Sequence, residues 1–157
     1  MQNTKFNISD ETRDELISIL NERLADSMDL QSQAKHAHWN VKGMNFISLH
    51  ELFDRVATEV DVQIDQIAER VTTLGGVAAG TVRIAAQNST LSQYPLEFMD
   101  GRDHIEALSN SLADFGGAVR KNIEDADKLD DAVTADLFTQ ISSTIEKLLW
   151  FVAAHAQ

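Results

Sequence analysis

Phe46-Ile-Ser-Leu-His50-Glu-Leu-Phe-Asp54-Arg-Val-Ala-Thr-Glu-Val60-Asp-Val-Gln-Ile-Asp65-Gln-Ile-Ala-Glu69-Arg-Val-Thr-Thr-Leu74-Gly-Gly76 is one unbroken helical pattern closed by two glycines. Advancing about 100° per residue from His50, the apolar side chains of Phe46, Leu49, Phe53, Ala57, Val60, Ile64, Ile67 and Val71 share one stripe. His50, Asp54, Asp65 and Glu69 fall beside that stripe, at about 0°, 40°, 60° and 100° on the same wheel. They form two pairs at i,i+4 spacing, where side chains are neighbours on the helix surface and can share an ion. Imidazole and carboxylate together suit iron, manganese or zinc better than calcium or copper(I).

The distance between the pairs decides how they are used. Asp54 and Asp65 lie about 16 Å apart along a helix axis, so no single ion reaches both pairs of one chain. Di-iron bundles that complete their sites within a chain use Glu-x-x-His from two helices, and the sequence contains no Glu-x-x-His. If the pairs cooperate, two copies of the helix pack antiparallel about a two-fold axis, giving two equivalent intersubunit sites. Taken singly, each pair reads as the ordinary polar face of a helix. His38, in Lys35-His-Ala-His-Trp39, is the natural third imidazole, since a short hairpin brings it to the start of the second helix. His36 and His38 point about 200° apart, so at most one of them faces the site.

The rest of the chain reads as further helices: from Ser9 or Asp10 to about Val41, from about Gly101 to Asp125, and from about Thr134 to Ala154. About 25 residues, Gly75 to Asp100, link the second and third, far more than the roughly two to eight usual between neighbouring helices of a bundle. Thr81 to Gln87 is expected to form a short helix inside this link, and Tyr94-Pro95 marks a turn. Two hairpins joined by one long crossover is the connectivity of an all-α, ferritin-like four-helix bundle. The expectation is a single domain over 1–157, with a short amino-terminal arm, 1–8.

Composition narrows the function. There are 13 Lys and Arg against 25 Asp and Glu, a net charge of −12, and no cysteine. Disulfides, thiolate metal sites and cysteine nucleophiles are thereby excluded. The longest apolar run, Leu148 to Ala154, is far short of the roughly 20 residues of a membrane helix. The amino terminus has no apolar signal core, so the expected location is the cytoplasm. The acidic surface suits cations and repels phosphate backbones.

The stretch from His38 through His50 and Asp54, followed by Asp65-Gln-Ile-Ala-Glu69 and Gly75-Gly76, resembles the signature of the Dps family of bacterial mini-ferritins. Thr134-Ala-Asp-Leu-Phe-Thr-Gln-Ile-Ser and Leu149-Trp-Phe-Val-Ala-Ala-His155 are similar to the same family, and the likeness runs over about residues 10–157. It implies a dodecameric hollow shell. It also implies a ferroxidase site formed by His38, His50 and Asp54 of one subunit with Asp65 and Glu69 of its two-fold mate. Such a site oxidises iron(II), typically with hydrogen peroxide in preference to oxygen, stores the ferric product and protects against oxidative stress. Zinc enters as a competitor, because nitrogen and oxygen sites bind it more tightly than iron(II).

Other positions carry lesser expectations. The resemblance places an ion-entry pore in the acidic segment around Glu124 to Asp136, with Asp127, Asp131 and Asp136 as its candidates. Trp39 is read as a core aromatic, with interception of stray radicals as the second reading. Asp61 is read as a solvated or interface carboxylate, and His104 and His155 as packing or surface residues. Family members that condense DNA carry a lysine-rich arm, whereas the residues before the first helix include only Lys5. That departure argues against direct DNA binding, and a nucleoid-associated structural protein with a vestigial metal site is the alternative function.

Overall fold

The structure is a computed structural model that describes residues 5–97 and 100–156; residues 1–4 of the expected arm lie outside them. Five α-helices follow one another: α1 Asp10–Asn40, α2 Phe46–Thr73, α3 Val82–Asn88, α4 Gly101–Lys128 and α5 Ala132–Ala153, the last continued by a 3-10 turn, Ala154–Ala156. Helix α1 packs along α2, and α4 along α5, as two hairpins. The expected bundle and its long crossover are both present.

Local chemistry sets the ends. The Ser9 hydroxyl accepts the Thr12 amide at 3.1 Å, and Asp10 and Glu11 occupy the positive first turn of α1. Helix α2 stops where Gly75 takes φ 89°, with the Gly76 amide returning to the Val71 carbonyl at 3.0 Å. The same turn ends α4 on Asp130, at φ 57°, and the Asp131 amide donates to the Ala126 carbonyl at 3.1 Å. Asp tolerates this left-handed conformation, which is why α4 runs three residues past the expected Asp125. At Gly101 a Cβ would stand 2.6 Å from Leu49 Cδ1, so glycine lets the start of α4 rest on α2.

The core draws Leu16, Leu20, Leu24 and Leu30 from α1 together with Phe53, Phe115 and Phe138 from α2, α4 and α5, all essentially inaccessible. Each such side chain contributes about 1.5–3 kcal/mol on burial. The stripe read on α2 is buried from Leu49 to Val71 except for half-buried Ile64, but Phe46 is 42% exposed. It sits in the first turn, at the end of the bundle, and leans on the His50 ring at 5.1 Å.

The crossover runs the length of α1, held by polar contacts. Arg13 donates to the Leu74 carbonyl at 3.3 Å, and Asn21 bonds Val77 and Ala79 at 3.2 and 2.9 Å. Asp26 accepts the Thr90 amide at 2.6 Å, Asp29 the Ser89 hydroxyl at 2.6 Å, and Gln33 donates to the Ser92 carbonyl at 3.1 Å. Asp26 is fully buried, and its second oxygen faces Arg23 Nη2 at 3.0 Å. Breaking a buried pair by removing one partner costs about 3–5 kcal/mol. Asp26→Ala is therefore expected to lower the stability from urea unfolding by that amount and to accelerate hydrogen exchange at the Thr90 amide. A loss below about 1 kcal/mol would instead mark a surface-type pair.

Candidate metal centre

The α1–α2 hairpin brings His38 and His50 face to face, with ring centroids 3.7 Å apart and planes 21° from parallel. The two residues are cross-linked by reciprocal hydrogen bonds. His38 Nδ1 lies 2.7 Å from the His50 carbonyl oxygen, and His50 Nδ1 lies 2.8 Å from the His38 carbonyl oxygen. A carbonyl only accepts, so each Nδ1 carries its hydrogen and donates. In the neutral rings this leaves a lone pair on both Nε2 atoms, the arrangement in which a backbone carbonyl orients a metal-binding histidine.

Asp54 stands one turn beyond His50, with Oδ1 4.0 Å from His38 Nδ1. Its immediate partner is Lys35, whose Nζ donates to the same oxygen at 2.6 Å. That hydrogen bond, helped by the ammonium charge and the neighbouring histidines, holds the Asp54 carboxyl below its ordinary 3.8 against the opposing effect of burial. Lys35 was not among the residues expected at the site. It lies one helical turn before His38, on the same side of α1, so the i,i+3 spacing was the signal that could have revealed it.

Asp65 and Glu69 are exposed on α2, about 16 Å along its axis from Asp54. No group of three His, Cys, Asp or Glu side chains able to hold a metal converges among the described residues of one chain. The structure brings His38, His50 and Asp54 together and leaves Asp65 and Glu69 apart from them, as α2 geometry requires.

The remaining candidates separate clearly. Trp39 is 68% exposed, contrary to its reading as a core aromatic. It follows His38 by about 100° and so turns away from the buried line of Leu30, Ala34, Ala37 and Val41. His36 faces the other way, edge-on to Tyr94 at 5.3 Å. His104 is buried, and its Nδ1 lies 2.8 Å from the Tyr94 hydroxyl, which burial keeps firmly protonated. Asp61 and His155 are exposed. Of the pore candidates, Asp127 and Asp136 are exposed, but Asp131 is buried: its Oδ2 accepts Arg70 Nη2 and the Thr134 hydroxyl, each at 2.6 Å. Its carboxylate is committed to joining α2 to the start of α5.

Helical hairpins and a lengthwise crossover define a ferritin-like bundle. The family model described as Ferritin-like domain matches residues 17–157. The DNA protection during starvation protein of Agrobacterium fabrum is 41% identical over 154 residues, covering 98% of this chain and 95% of that one. The Dps structure from Mycobacterium smegmatis superposes with a TM-score of 0.94 at 34% identity, covering 99% of this chain and 93% of its own. Dps from Microbacterium arborescens in its high iron form superposes at 0.87 with 28% identity, over 94% and 95% of the two chains. The chain belongs to the Dps family of ferritin-like proteins. No helix among the described residues is long and apolar enough to cross a membrane.

The Arg70–Asp131 pair has a definite pH signature. Burial alone would raise the Asp131 carboxyl, but the Thr134 hydroxyl and Arg70 outweigh it and hold the group below 3.8. A carboxyl depressed on folding adds stability that is complete above its unfolded value and is lost as pH falls through its folded value. Asp131→Asn is thus expected to cost about 3–5 kcal/mol at neutral pH and to flatten the fall in urea midpoint below about pH 4. Parallel acid limbs in wild type and variant would show that Asp131 does not carry this dependence.

Proposed function

We infer that the chain assembles as a closed twelve-subunit shell that takes up iron(II), oxidises it at intersubunit sites and stores the ferric product. The reading is supported above all by the crossed hydrogen bonds of His38 and His50, which leave a lone pair on each Nε2, with Asp54 next to His38. The half-site is preorganised: its imidazoles need no change of tautomer or partner when metal arrives, so little orientation is lost on binding. The partner subunit's Asp65 and Glu69 supply the carboxylates that one chain cannot bring.

Iron is the substrate. Two iron(II) ions give up one electron each, the O–O bond of hydrogen peroxide breaks, and two protons complete two waters. Peroxide is the preferred oxidant, because paired irons deliver both electrons and leave no hydroxyl radical. The chain's residues hold the ions with positions open to the oxidant, a use of metals as template and reactant. Exposed Asp127 and Asp136 are the proposed cation entry, with Asp131 holding the loop rather than lining it. The net charge of −12 favours cation entry and disfavours phosphate backbones, so protection proceeds through iron and peroxide in the cytoplasm rather than through direct DNA contact. The Microbacterium arborescens relative in its high iron form accords with iron as cargo.

Stopped-flow absorbance of iron(II)-loaded protein mixed with peroxide or with oxygen tests the reading. The expected result is faster oxidation by peroxide, with two irons consumed per peroxide. Asp54→Ala is expected to slow it by at least the roughly 10–100-fold that loss of a metal's outer partner costs. Unchanged rates in Asp54→Ala, or one iron per peroxide with radical released, would overturn it.

A further inference from the structure

Lys35 is the residue at this site that the reaction does not require. Its ammonium is 2.6 Å from Asp54 Oδ1 and 5.8 Å from the centre of the Trp39 ring, with the side chain 30% exposed and that of Asp54 48% exposed. A half-exposed ion pair of this kind adds little to folding stability, so the contact is better explained by what it does to Asp54. The Asp54 oxygen that stands 4.0 Å from His38 already carries a cation. A divalent ion bound through that oxygen would meet the ammonium at contact range, where like charges repel strongly in a partly desolvated site.

We propose that Lys35 is a built-in counter-ion that a divalent cation must displace from Asp54, and that it thereby sets the affinity and order of metal binding at the half-site. This inference rests on the assignment of Asp54 to the iron site. In the empty protein the Lys35 hydrogen bond holds Asp54 oriented beside His38. On loading, the long lysine stem releases Asp54 while its ammonium stays by the exposed Trp39 ring, already 5.8 Å away, whose face attracts cations. The lysine thereby weakens binding at the Asp54 position. Every divalent ion meets the same repulsion, so ions that bind nitrogen and oxygen more tightly than iron(II), zinc among them, are held less firmly too and the position stays exchangeable.

Titration calorimetry with zinc(II) chloride, a redox-inert probe, on assembled shells of the full chain tests this. Lys35→Gln removes the charge and is expected to tighten zinc binding by at least about tenfold, against the repulsion of one unit charge. Lys35→Arg, which keeps the charge, is expected to stay near wild type. The gain must vanish when Lys35→Gln is combined with Asp54→Asn, because the lysine acts through that carboxylate; additive effects would place Lys35 outside the metal's path. Zinc binding that is measurable in wild type and unchanged in Lys35→Gln overturns the counter-ion role and leaves the site assignment standing. If neither protein binds zinc, the site assignment itself fails and the counter-ion role with it.

Discussion

Helix α2 is a stiff rod that carries two ligand pairs about 16 Å apart, and most of the molecule follows from that separation. No group of these residues able to hold a metal converges among the described residues of one chain, and the two pairs stand toward opposite ends of the helix. At one end, the α1–α2 hairpin locks His38 and His50 through each other's carbonyls and sets Asp54 beside them. At the other, Asp65 and Glu69 stand exposed. On the proposed function, activity is thereby coupled to assembly.

The rod needs a rigid setting, and the crossover provides it. Asn21, Asp26, Asp29 and Gln33 of α1 bond successive points between Val77 and Ser92. They satisfy backbone groups that a long irregular segment would otherwise leave open. The Arg70–Asp131 pair does the equivalent work between α2 and the start of α5. The interior is thus held by polar contacts at defined points along an apolar core. These fix where α2 sits, and the apolar contacts supply most of the stability.

Much of this was legible in the sequence because it depends on local periodicity. The α2 stripe, the glycine stop at Gly75, the short helix after Thr81 and the hairpin placing His38 beside His50 all follow from spacing and capping. Where pairing between distant segments decides, the sequence was silent. Nothing in the order of residues joins Arg70 to Asp131, which the sequence offers as a pore candidate of the acidic loop and which is buried instead. Trp39 was misread for a related reason. Aromatic residues are usually buried, but a turn of about 100° past His38 takes this one out of the core. Asp54 stands beside His38 as its place on the α2 wheel leads one to expect, while the lysine that pairs with it was not among the expected residues.

The most direct measurement of the central claim, that each site is shared by two subunits, uses two inactive chains unfolded and reassembled together. One carries His50→Ala with Asp54→Ala, the other Asp65→Ala with Glu69→Ala. In a mixed dimer one site loses all four ligands and the other keeps them all, while every site of either homogeneous shell lacks a pair. Random two-fold pairing therefore restores about a quarter of the wild-type sites, read as peroxide-driven iron(II) oxidation by mixed shells. Recovery of that size is the predicted result. Mixed shells that assemble normally and remain as inactive as the separate variants would contradict the shared site.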